Sequence, residues 1–165
     1  MPTHLAKTCT HPETPDQVKG FLEWPLTDRP GFLIRRMHQI YVALFTEHCG
    51  TFGITPVQNS VLWAVARRGE ADQTTIAADV SLDRTTTVDV LKRLAARRLI
   101  ARTQSRTDRR AQLCVITPQG TILLAKIEAF ARAAHHDTIA VLSAREQETL
   151  LSLMKRVVLA AGTPG

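Results

Sequence analysis

Two short helical segments joined by a very brief turn constrain the fold of this chain more than any other feature. Asp72 and Asp83 are suited to cap helix N-termini, because their carboxylates accept hydrogen bonds from free backbone N–H groups. The pattern predicts one helix over residues 73–80, a tight turn at 81–82 and a second helix over 84–97. Two helices with so short a connection indicate a helix-turn-helix unit.

The second predicted helix has an apolar face and a polar face. The apolar face consists of Val88, Leu91, Leu94 and Ala95. The polar face has hydroxyl side chains at its start and basic side chains further along, which suits a DNA major groove. Its residues predicted to contact DNA are Arg84, Thr85, Thr86, Asp89, Lys92 and Arg93. An ordinary amphipathic surface helix has the same periodicity and is the alternative.

Asp89 is an acidic residue on this otherwise basic face. At a spacing of four residues it can pair with Arg93 and hold that side chain in one rotamer. Its carboxylate can also accept a hydrogen bond from the amine of a cytosine. Either role would explain an acidic side chain on a face that meets a polyanion.

A hairpin with a basic tip is predicted directly after the second helix. Residues 100–104 and 111–116 are short strand-like runs, and a polar loop, 105–110, separates them. A helix-turn-helix followed by a hairpin is the element order of a winged helix. The tip can reach a narrow minor groove, where negative potential attracts arginine. Its predicted DNA-contacting residues are Arg106, Asp108, Arg109 and Arg110.

The charge distribution indicates a polyanion as the partner of this region. Residues 81–115 contain nine of the 21 Lys and Arg residues but three of the 15 acidic residues. Their net charge of +6 therefore equals that of the whole chain. A solvated basic surface is usually more interspersed with acids. We expect double-stranded DNA as the partner. Thr85, Thr86, Asp89 and Arg93 should read bases, Asp108 and Arg110 should hold the wing, and the remaining arginines should mostly bind phosphate.

Helical patterns with wide apolar faces flank the predicted winged helix. Their apolar surface exceeds what the winged helix can cover, which predicts a homodimer built from the chain ends. The predicted fold class is mainly α (α+β), with a winged helix-turn-helix DNA-binding lobe plus N- and C-terminal dimerisation helices. The predicted parts are a partly disordered extension (1–30), a dimerisation and ligand-pocket helix (31–54), the DNA-binding domain (55–117) and C-terminal dimerisation helices (118–165).

Other function classes find no support in the sequence. No run of about 18 apolar residues is present and the N-terminus lacks a signal-peptide core, so we expect a cytoplasmic protein without a membrane partner. The three cysteines, Cys9, Cys49 and Cys114, form no CxxC pair, which argues against a disulfide framework or a metal site. His135 and His136 have no recognisable acid/base or metal spacing, so neither an enzyme nor a cofactor is expected.

Three strings, in this order of elements, resemble the MarR family of bacterial transcription regulators. They are ITPVQNSVL, VSLDRTTTVDVLKRLAARRLIART and TDRRAQLCVITPQG, and the resemblance covers about residues 31–160. It implies a homodimer that reads a pseudo-palindromic operator, usually as a repressor. By the same resemblance Asp108 and Arg110 match the family's wing pair, in which Arg110 would enter the minor groove and Asp108 would fix it.

Two positions depart from the family pattern. Lys92 stands where many members have an acid, which makes this helix more basic. Arg98 replaces a frequent glycine, and a non-glycine residue in a left-handed backbone costs on the order of 1 kcal/mol. A phosphate contact by Arg98 could offset that cost, or the helix could end differently.

The string RPGFLIRRMHQIYVALF resembles a subgroup linked to aromatic-acid catabolism, of nicotinate and hydroxycinnamate type. Family ligands commonly bind between the DNA lobe and the dimer helices. An aromatic carboxylate needs Arg or His for its charge and an apolar slot for its ring. The residues predicted to bind a small aromatic acid or its CoA thioester are Arg35, Arg36, His38, Tyr41, Gln58, Asn59 and Trp63. The alternative is that Tyr41 and Trp63 belong to the core and the arginines are solvated.

Two further functions of the same fold are alternatives. A redox sensor needs a reactive thiol of low pKa, for which Cys49 is the candidate, while Cys114 is expected to be structural. A non-specific architectural DNA-binding protein would bind an operator and random DNA with similar affinity.

Overall fold

The computed structural model describes residues 23–104 and 112–161, which form six α-helices and three β-strands. The helices are α1 (Pro30–Cys49), α2 (Pro56–Arg68), α3 (Gln73–Val80), α4 (Arg84–Ala96), α5 (Pro118–Thr138) and α6 (Ala144–Ala161). The strands are β1 (Glu70–Asp72), β2 (Ile100–Gln104) and β3 (Gln112–Ile116). This order confirms the mainly α prediction of a winged helix with further helices on both sides.

The chain divides into two compact units, residues 1–39 and 40–165. The boundary lies within α1, and therefore inside the segment predicted as one part, 31–54. In the first unit a short 3-10 turn, Leu26–Asp28, precedes α1. Arg29 anchors this turn, because its guanidinium lies 5.2 Å from the Trp24 ring and donates to the Trp24 carbonyl at 3.0 Å.

Side-chain caps begin the helices of the second unit, and the Asp72 cap is one that the sequence predicts. The Thr55 hydroxyl accepts from the Gln58 N–H, and the Gln58 side-chain carbonyl accepts from the Thr55 N–H, both at 3.2 Å. The Asp72 carboxylate accepts from the N–H groups of Thr74 and Thr75 at 2.8 and 2.9 Å. Each cap satisfies backbone donors that have no partner within the helix, so local sequence alone determines where α2 and α3 start.

The three strands form one antiparallel sheet in the order β1-β3-β2. Cys114 at the middle of β3 lies opposite Ala71 on one side and Arg102 on the other. The β2–β3 pairing confirms the predicted hairpin. Strand β1 was not predicted, because three residues are too few to show an alternating pattern and its pairing depends on a distant strand.

The core of the second unit combines the helix-turn-helix with α2 and parts of α1 and α5. Its fully buried large side chains include Phe45, Leu62, Ile76, Leu91, Leu94, Leu99 and Ile127. The inward face of α4 is rotated relative to the prediction, since Thr87 and Val90 are buried whereas Val88 is half-buried. Thr87 tolerates burial because its hydroxyl donates to the Asp83 carbonyl at 2.8 Å.

Gly120 allows α5 to begin in direct contact with the segment that follows α4. A Cβ at Gly120 would lie 2.1 Å from the Leu99 carbonyl oxygen. The α5 cap reinforces this approach, because the Thr117 hydroxyl donates to the Arg98 carbonyl at 2.7 Å. The start of α5 is therefore held against the end of the helix-turn-helix.

Helix α6 buries none of its own residues. Its exposed apolar side chains are Leu151, Leu153, Met154, Val157, Val158 and Leu159. At its start, the N–H and the hydroxyl of Ser143 both donate to the Glu146 carboxylate, at 2.8 and 2.7 Å, which is a variant of the capping box. Within the described residues, no helix has the length and apolar character needed to cross a membrane.

Candidate DNA interface and adjoining groove

The turn between α3 and α4 is shaped by a left-handed residue. Ser81 has φ +53°, and the Leu82 N–H donates to the Ala77 carbonyl at 3.0 Å, which is the Schellman pattern of a helix end. Half-buried Leu82 packs against the core. The turn therefore determines the direction in which α4 leaves α3, and it confirms the predicted helix-turn-helix.

Asp83 caps α4 and also engages a residue that was predicted to read bases. Its carboxylate accepts from the Thr86 N–H at 2.8 Å and from the Thr86 hydroxyl at 2.5 Å. The Thr86 side chain, followed by its backbone N–H, holds the pKa of Asp83 below its ordinary value. Because the Thr86 hydroxyl proton points to Asp83, this hydroxyl can offer only lone pairs to DNA.

The six residues predicted to contact DNA from α4 are all exposed. Asp89, however, lies 3.7 Å from the Lys92 ammonium, and the predicted pairing with Arg93 is not the one that the structure shows. Positions three apart are neighbours on a helix just as positions four apart are, and the flexible lysine reaches back to the carboxylate. Both side chains are more than half exposed, so this pair contributes little to stability.

The Arg97 guanidinium already has partners within the protein, whereas Arg98 is exposed and its phosphate contact stays a prediction. Arg98 has φ +57°, and the Leu99 N–H donates to the Leu94 carbonyl at 3.0 Å, so the helix ends as a glycine-bearing family member would end. Its left-handed backbone costs on the order of 1 kcal/mol. The Arg97 guanidinium turns towards the protein and donates to the carbonyls of Phe52 and Gly53.

The wing is described up to its tip. Residue pairs from Ile100 with Ile116 to Gln104 with Gln112 align β2 and β3 along their full length. The tip, residues 105–111, lies outside the described residues. The DNA contacts assigned to Arg106, Asp108, Arg109 and Arg110 therefore stay predictions.

A groove of about 700 Å³ lies beside the helix-turn-helix, bounded by α2, the end of α3 and α5. Trp63 is 51% exposed at its wall, and the Arg67 guanidinium lies 5.5 Å from the Trp63 ring. His135 lies on the opposite wall of the groove, which α5 forms. The Oδ1 atom of Asn59 is buried here and has no hydrogen-bond partner among the described residues. The groove thus combines an aromatic face, a cation and an unsatisfied acceptor.

Two other arginines at the groove already have carboxylate partners. Arg68 pairs with Asp79 through two hydrogen bonds, one of them Nη2 to Oδ1 at 2.7 Å. This guanidinium holds the pKa of the Asp79 carboxyl below its ordinary value. Arg132 donates to Glu128 at 2.6 Å. Arg67, whose partner is an indole ring, is therefore better placed than these two to bind an added anion.

The residues predicted to bind a ligand have separate locations. Asn59 and Trp63 line the groove, and Tyr41 stacks on the groove residue His135 with a ring distance of 4.7 Å. Gln58 is 8% exposed and serves in the α2 cap, so its role in the structure is to stabilise the helix start. Arg35, Arg36 and His38 are exposed on the first half of α1, which belongs to the first unit. Their role in ligand binding stays a prediction.

The sequence pattern did not reveal Arg67 and His135 as groove residues. They come from α2 and α5 and lie 135 − 67 = 68 positions apart in the sequence. Neither belongs to a motif, and periodicity only places them on exposed helix faces. The signal that could have identified Arg67 is its spacing of four residues from Trp63, which allows stacking on one helix face.

Comparisons with known proteins now identify the family. A MarR family model matches residues 54–111. A transcriptional regulatory protein assigned to the hcr operon of Thauera aromatica is 34% identical over 131 residues, which are 77% of each chain. The chain belongs to the MarR family. It is a DNA-binding transcriptional regulator with the winged-helix fold.

Two solved MarR-like structures resemble this chain over most of their length. Bordetella bronchiseptica BpsR, whose DNA binding is regulated by 6-hydroxynicotinic acid, has a TM-score of 0.77 at 28% identity and covers 81% of this chain and 96% of its own. Rhodococcus jostii RHA1 CouR, solved with p-coumaroyl-CoA bound, has a TM-score of 0.72 at 25% identity and covers 86% and 96%.

The two described cysteines argue against the redox alternative for this MarR-family protein. Cys49 is 0% exposed and Cys114 is 3% exposed. Burial raises the pKa of both thiols. Reactive sensor thiols are instead accessible and of low pKa, so neither side chain has the character that the redox interpretation requires.

Proposed function

We propose that this MarR-family protein is a homodimeric repressor, released from a pseudo-palindromic operator by a small aromatic acid or the CoA thioester of one. The groove beside α3 carries the proposal, because it is bounded both by the helix-turn-helix and by α5. The ligands named for BpsR and CouR, an aromatic acid and an aromatic acyl thioester, support this effector class.

Operator reading in this proposal uses the exposed face of α4. Thr85, Asp89 and Arg93 would meet base edges in the major groove, and Arg84 and Lys92 would bind phosphate. Thr86 would take part as an acceptor only. The wing arginines would enter the flanking minor groove. Affinity should fall steeply with salt, because each phosphate contact releases counterions.

Assembly into a dimer would cover the apolar side of α6. Val157 and Val158, on this side of the helix, are 69% and 65% exposed, an unusual degree for apolar side chains. Pairing with a second copy would remove this surface from water. A two-fold dimer also presents two recognition helices to the two halves of a palindrome.

The groove offers a specific chemistry to an aromatic carboxylate. The ring would contact the exposed indole of Trp63, and the carboxylate would bind the Arg67 guanidinium. The buried Oδ1 of Asn59 would accept a hydrogen bond from a ring hydroxyl or N–H group, which removes the cost of leaving it unsatisfied. Ring hydroxylation should therefore strengthen binding.

Release of DNA requires the ligand to prefer one conformation over the other. The groove wall includes Asp79, Val80 and Ser81 at the end of α3, where the turn sets the direction of α4. A ligand that fits only one spacing between this turn and α5 would favour that spacing. If the spacing that the ligand favours differs from the spacing that DNA binding needs, the affinity for the operator falls.

A thermal-shift panel tests the proposal. It would contain benzoate, 4-hydroxybenzoate, 6-hydroxynicotinate, p-coumarate, p-coumaroyl-CoA and the neutral amide of each acid. A ligand at a hundredfold excess over its dissociation constant should stabilise the native protein by about 2.7 kcal/mol. The same compound should release a duplex that the wild-type protein has selected from a randomised library.

Arg67→Gln is the diagnostic variant, with Arg145→Gln as a charge-matched control on α6. Arg67→Gln should weaken binding of the acid about tenfold and leave the neutral amide unchanged, because it removes one charge-assisted contact. Arg145→Gln should bind both as the wild type does. The effector proposal fails if no acid or thioester of the panel both stabilises the protein and releases the duplex.

A further inference from the structure

Arg97 connects the end of α4 to the loop that follows α1. Its Nη1 donates to the Gly53 carbonyl at 2.5 Å and its Nη2 to the Phe52 carbonyl at 3.0 Å. These are the last carbonyls of the 3-10 turn Gly50–Phe52 and its cap, where the backbone dipoles leave partial negative charge. A planar guanidinium can bind two neighbouring carbonyls in this way, whereas a single ammonium cannot present the same fork.

The receiving loop has a shape that presents both carbonyls. Gly53 has φ +62°, a left-handed conformation that glycine adopts readily, and its N–H closes the turn on the Gly50 carbonyl at 3.0 Å. A Cβ at Gly53 would lie 3.8 Å from Arg97 Nη2. The loop and the arginine are thus in close contact, and the contact joins the loop after α1 to the end of α4.

The same loop continues into α5 through an aromatic contact. The rings of Phe52 and Phe130 lie 5.3 Å apart with an interplanar angle of 57°, a favourable tilted geometry. Phe52 also packs against the buried core. Phe52 therefore contacts both helices. Its carbonyl binds Arg97 at the end of α4, and its ring packs on Phe130 of α5.

We propose that Arg97 is a positioning residue for DNA recognition, which sets the placement of α4 relative to the loop after α1 and, through Phe52, relative to α5. It does not bind phosphate, because its guanidinium is committed to the two carbonyls. The inference rests on the proposed operator binding, since placement of α4 matters only if α4 reads base pairs. Without the Arg97 fork, α4 would keep its charge pattern but lose its alignment with the operator.

DNA affinities separate this role from phosphate binding and from a general loss of folded protein. The test uses the full chain, a duplex selected by the wild type from a randomised library, and a scrambled duplex of the same composition. Arg97→Gln and Arg97→Lys should each weaken binding of the selected duplex at least tenfold. Binding of the scrambled duplex, and the slope of log affinity against log salt, should stay at the wild-type values, because the slope counts phosphate contacts.

Arg98→Gln is the matched control, because it removes the same charge from the adjacent exposed residue. It should leave the preference for the selected duplex unchanged. The proposal is overturned if Arg97→Lys binds as the wild type while Arg97→Gln loses affinity for both duplexes and lowers the salt slope. That pattern would identify Arg97 as a phosphate contact. Equal loss on both duplexes with an unchanged slope would indicate fewer folded molecules, and would overturn it too.

Phe130→Leu tests the connection to α5. If Arg97 acts through the Phe52 loop, the two substitutions should not act independently. The affinity of the double variant Arg97→Gln, Phe130→Leu for the selected duplex should then fall by less than the product of the two single fold-changes. Independent, multiplicative effects would remove α5 from the proposal.

Hydrogen exchange gives a readout that needs no DNA. Arg97→Gln should speed exchange in residues 50–53 and at the end of α4, and leave α3 unchanged. Unchanged exchange at residues 50–53 would overturn the role of Arg97. If the wild type selects no duplex at all, the operator proposal fails by itself, while the exchange result still decides whether Arg97 holds α4 to the loop.

Discussion

The helix-turn-helix buries its apolar side chains, whereas helix α6 exposes them to solvent. Ile76, Leu91 and Leu94 of the former are at most 1% exposed, and the side of α4 that faces solvent is polar. In α6, Val157 and Val158 are 69% and 65% exposed. Removing such surface from water is the main driving force of folding and association. The recognition unit is therefore complete within one chain, whereas α6 has the composition of an element that still needs a partner.

The largest loss of stability in the folded recognition unit is expected from a substitution at Gly120. Gly120→Ala would bring a Cβ to 2.1 Å from the Leu99 carbonyl, and backbone on both sides would have to move. We expect the free energy of unfolding in urea to fall by about 3 kcal/mol, the upper end of typical overpacking costs. Gly31→Ala is the control, because a Cβ there meets nothing within 4 Å. Comparable losses in the two variants would contradict this explanation.

The incompleteness of α6 can be tested by placing a charge on its apolar side. Val157→Asp should weaken self-association about a hundredfold, or by about 2.7 kcal/mol, because a carboxylate would be buried in an apolar interface. Sedimentation velocity over a range of concentrations measures the shift. Ser152→Asp, on the opposite side of the helix from Met154, should associate as the wild type does. A dimer that tolerates Val157→Asp would place the interface elsewhere.

A smaller effect is expected from the cap of α3. Asp72→Ala removes the acceptor for the N–H groups of Thr74 and Thr75 and should cost about 1 kcal/mol in urea unfolding. Ser143→Ala, at the start of α6, removes a hydroxyl that donates to a carboxylate and should cost less. A larger loss of unfolding free energy in Ser143→Ala than in Asp72→Ala would mean that α6 depends less on a partner than its exposed apolar side chains indicate.

The cap of α3 also predicts a pH dependence. Hydrogen bonds from the backbone and side chain of Thr75 and the backbone of Thr74 hold the pKa of Asp72 below its ordinary value, with the Thr75 N–H as the largest cause. A lowered native pKa stabilises the protein above the ordinary aspartate pKa of about 3.9, and this contribution disappears as pH falls through the native value. The stability difference between wild type and Asp72→Asn should therefore be constant near neutral pH and shrink on acidification. A difference that grows below pH 4 would have the wrong sign.

Local features of the fold were largely predictable. The Asp72 and Asp83 caps placed the starts of two helices at the residues where the structure has them, and α4 ends one residue before the predicted position. These signals lie within a few residues of the backbone groups they satisfy. The left-handed Arg98 was also foreseeable, because a helix end of this kind depends on a short segment.

Contacts between distant segments were beyond the sequence. Periodicity places Arg97 at the end of a helix, but only the tertiary structure directs its guanidinium to the carbonyls of residues 52 and 53. The groove likewise joins Trp63 and Arg67 of α2 to His135 of α5. Thus the sequence by itself determined the helices, the winged order and the basic recognition face, because caps, periodicity and charge are local properties. Which side chains meet was decided by packing, because a long-range contact depends on the placement of both of its partners.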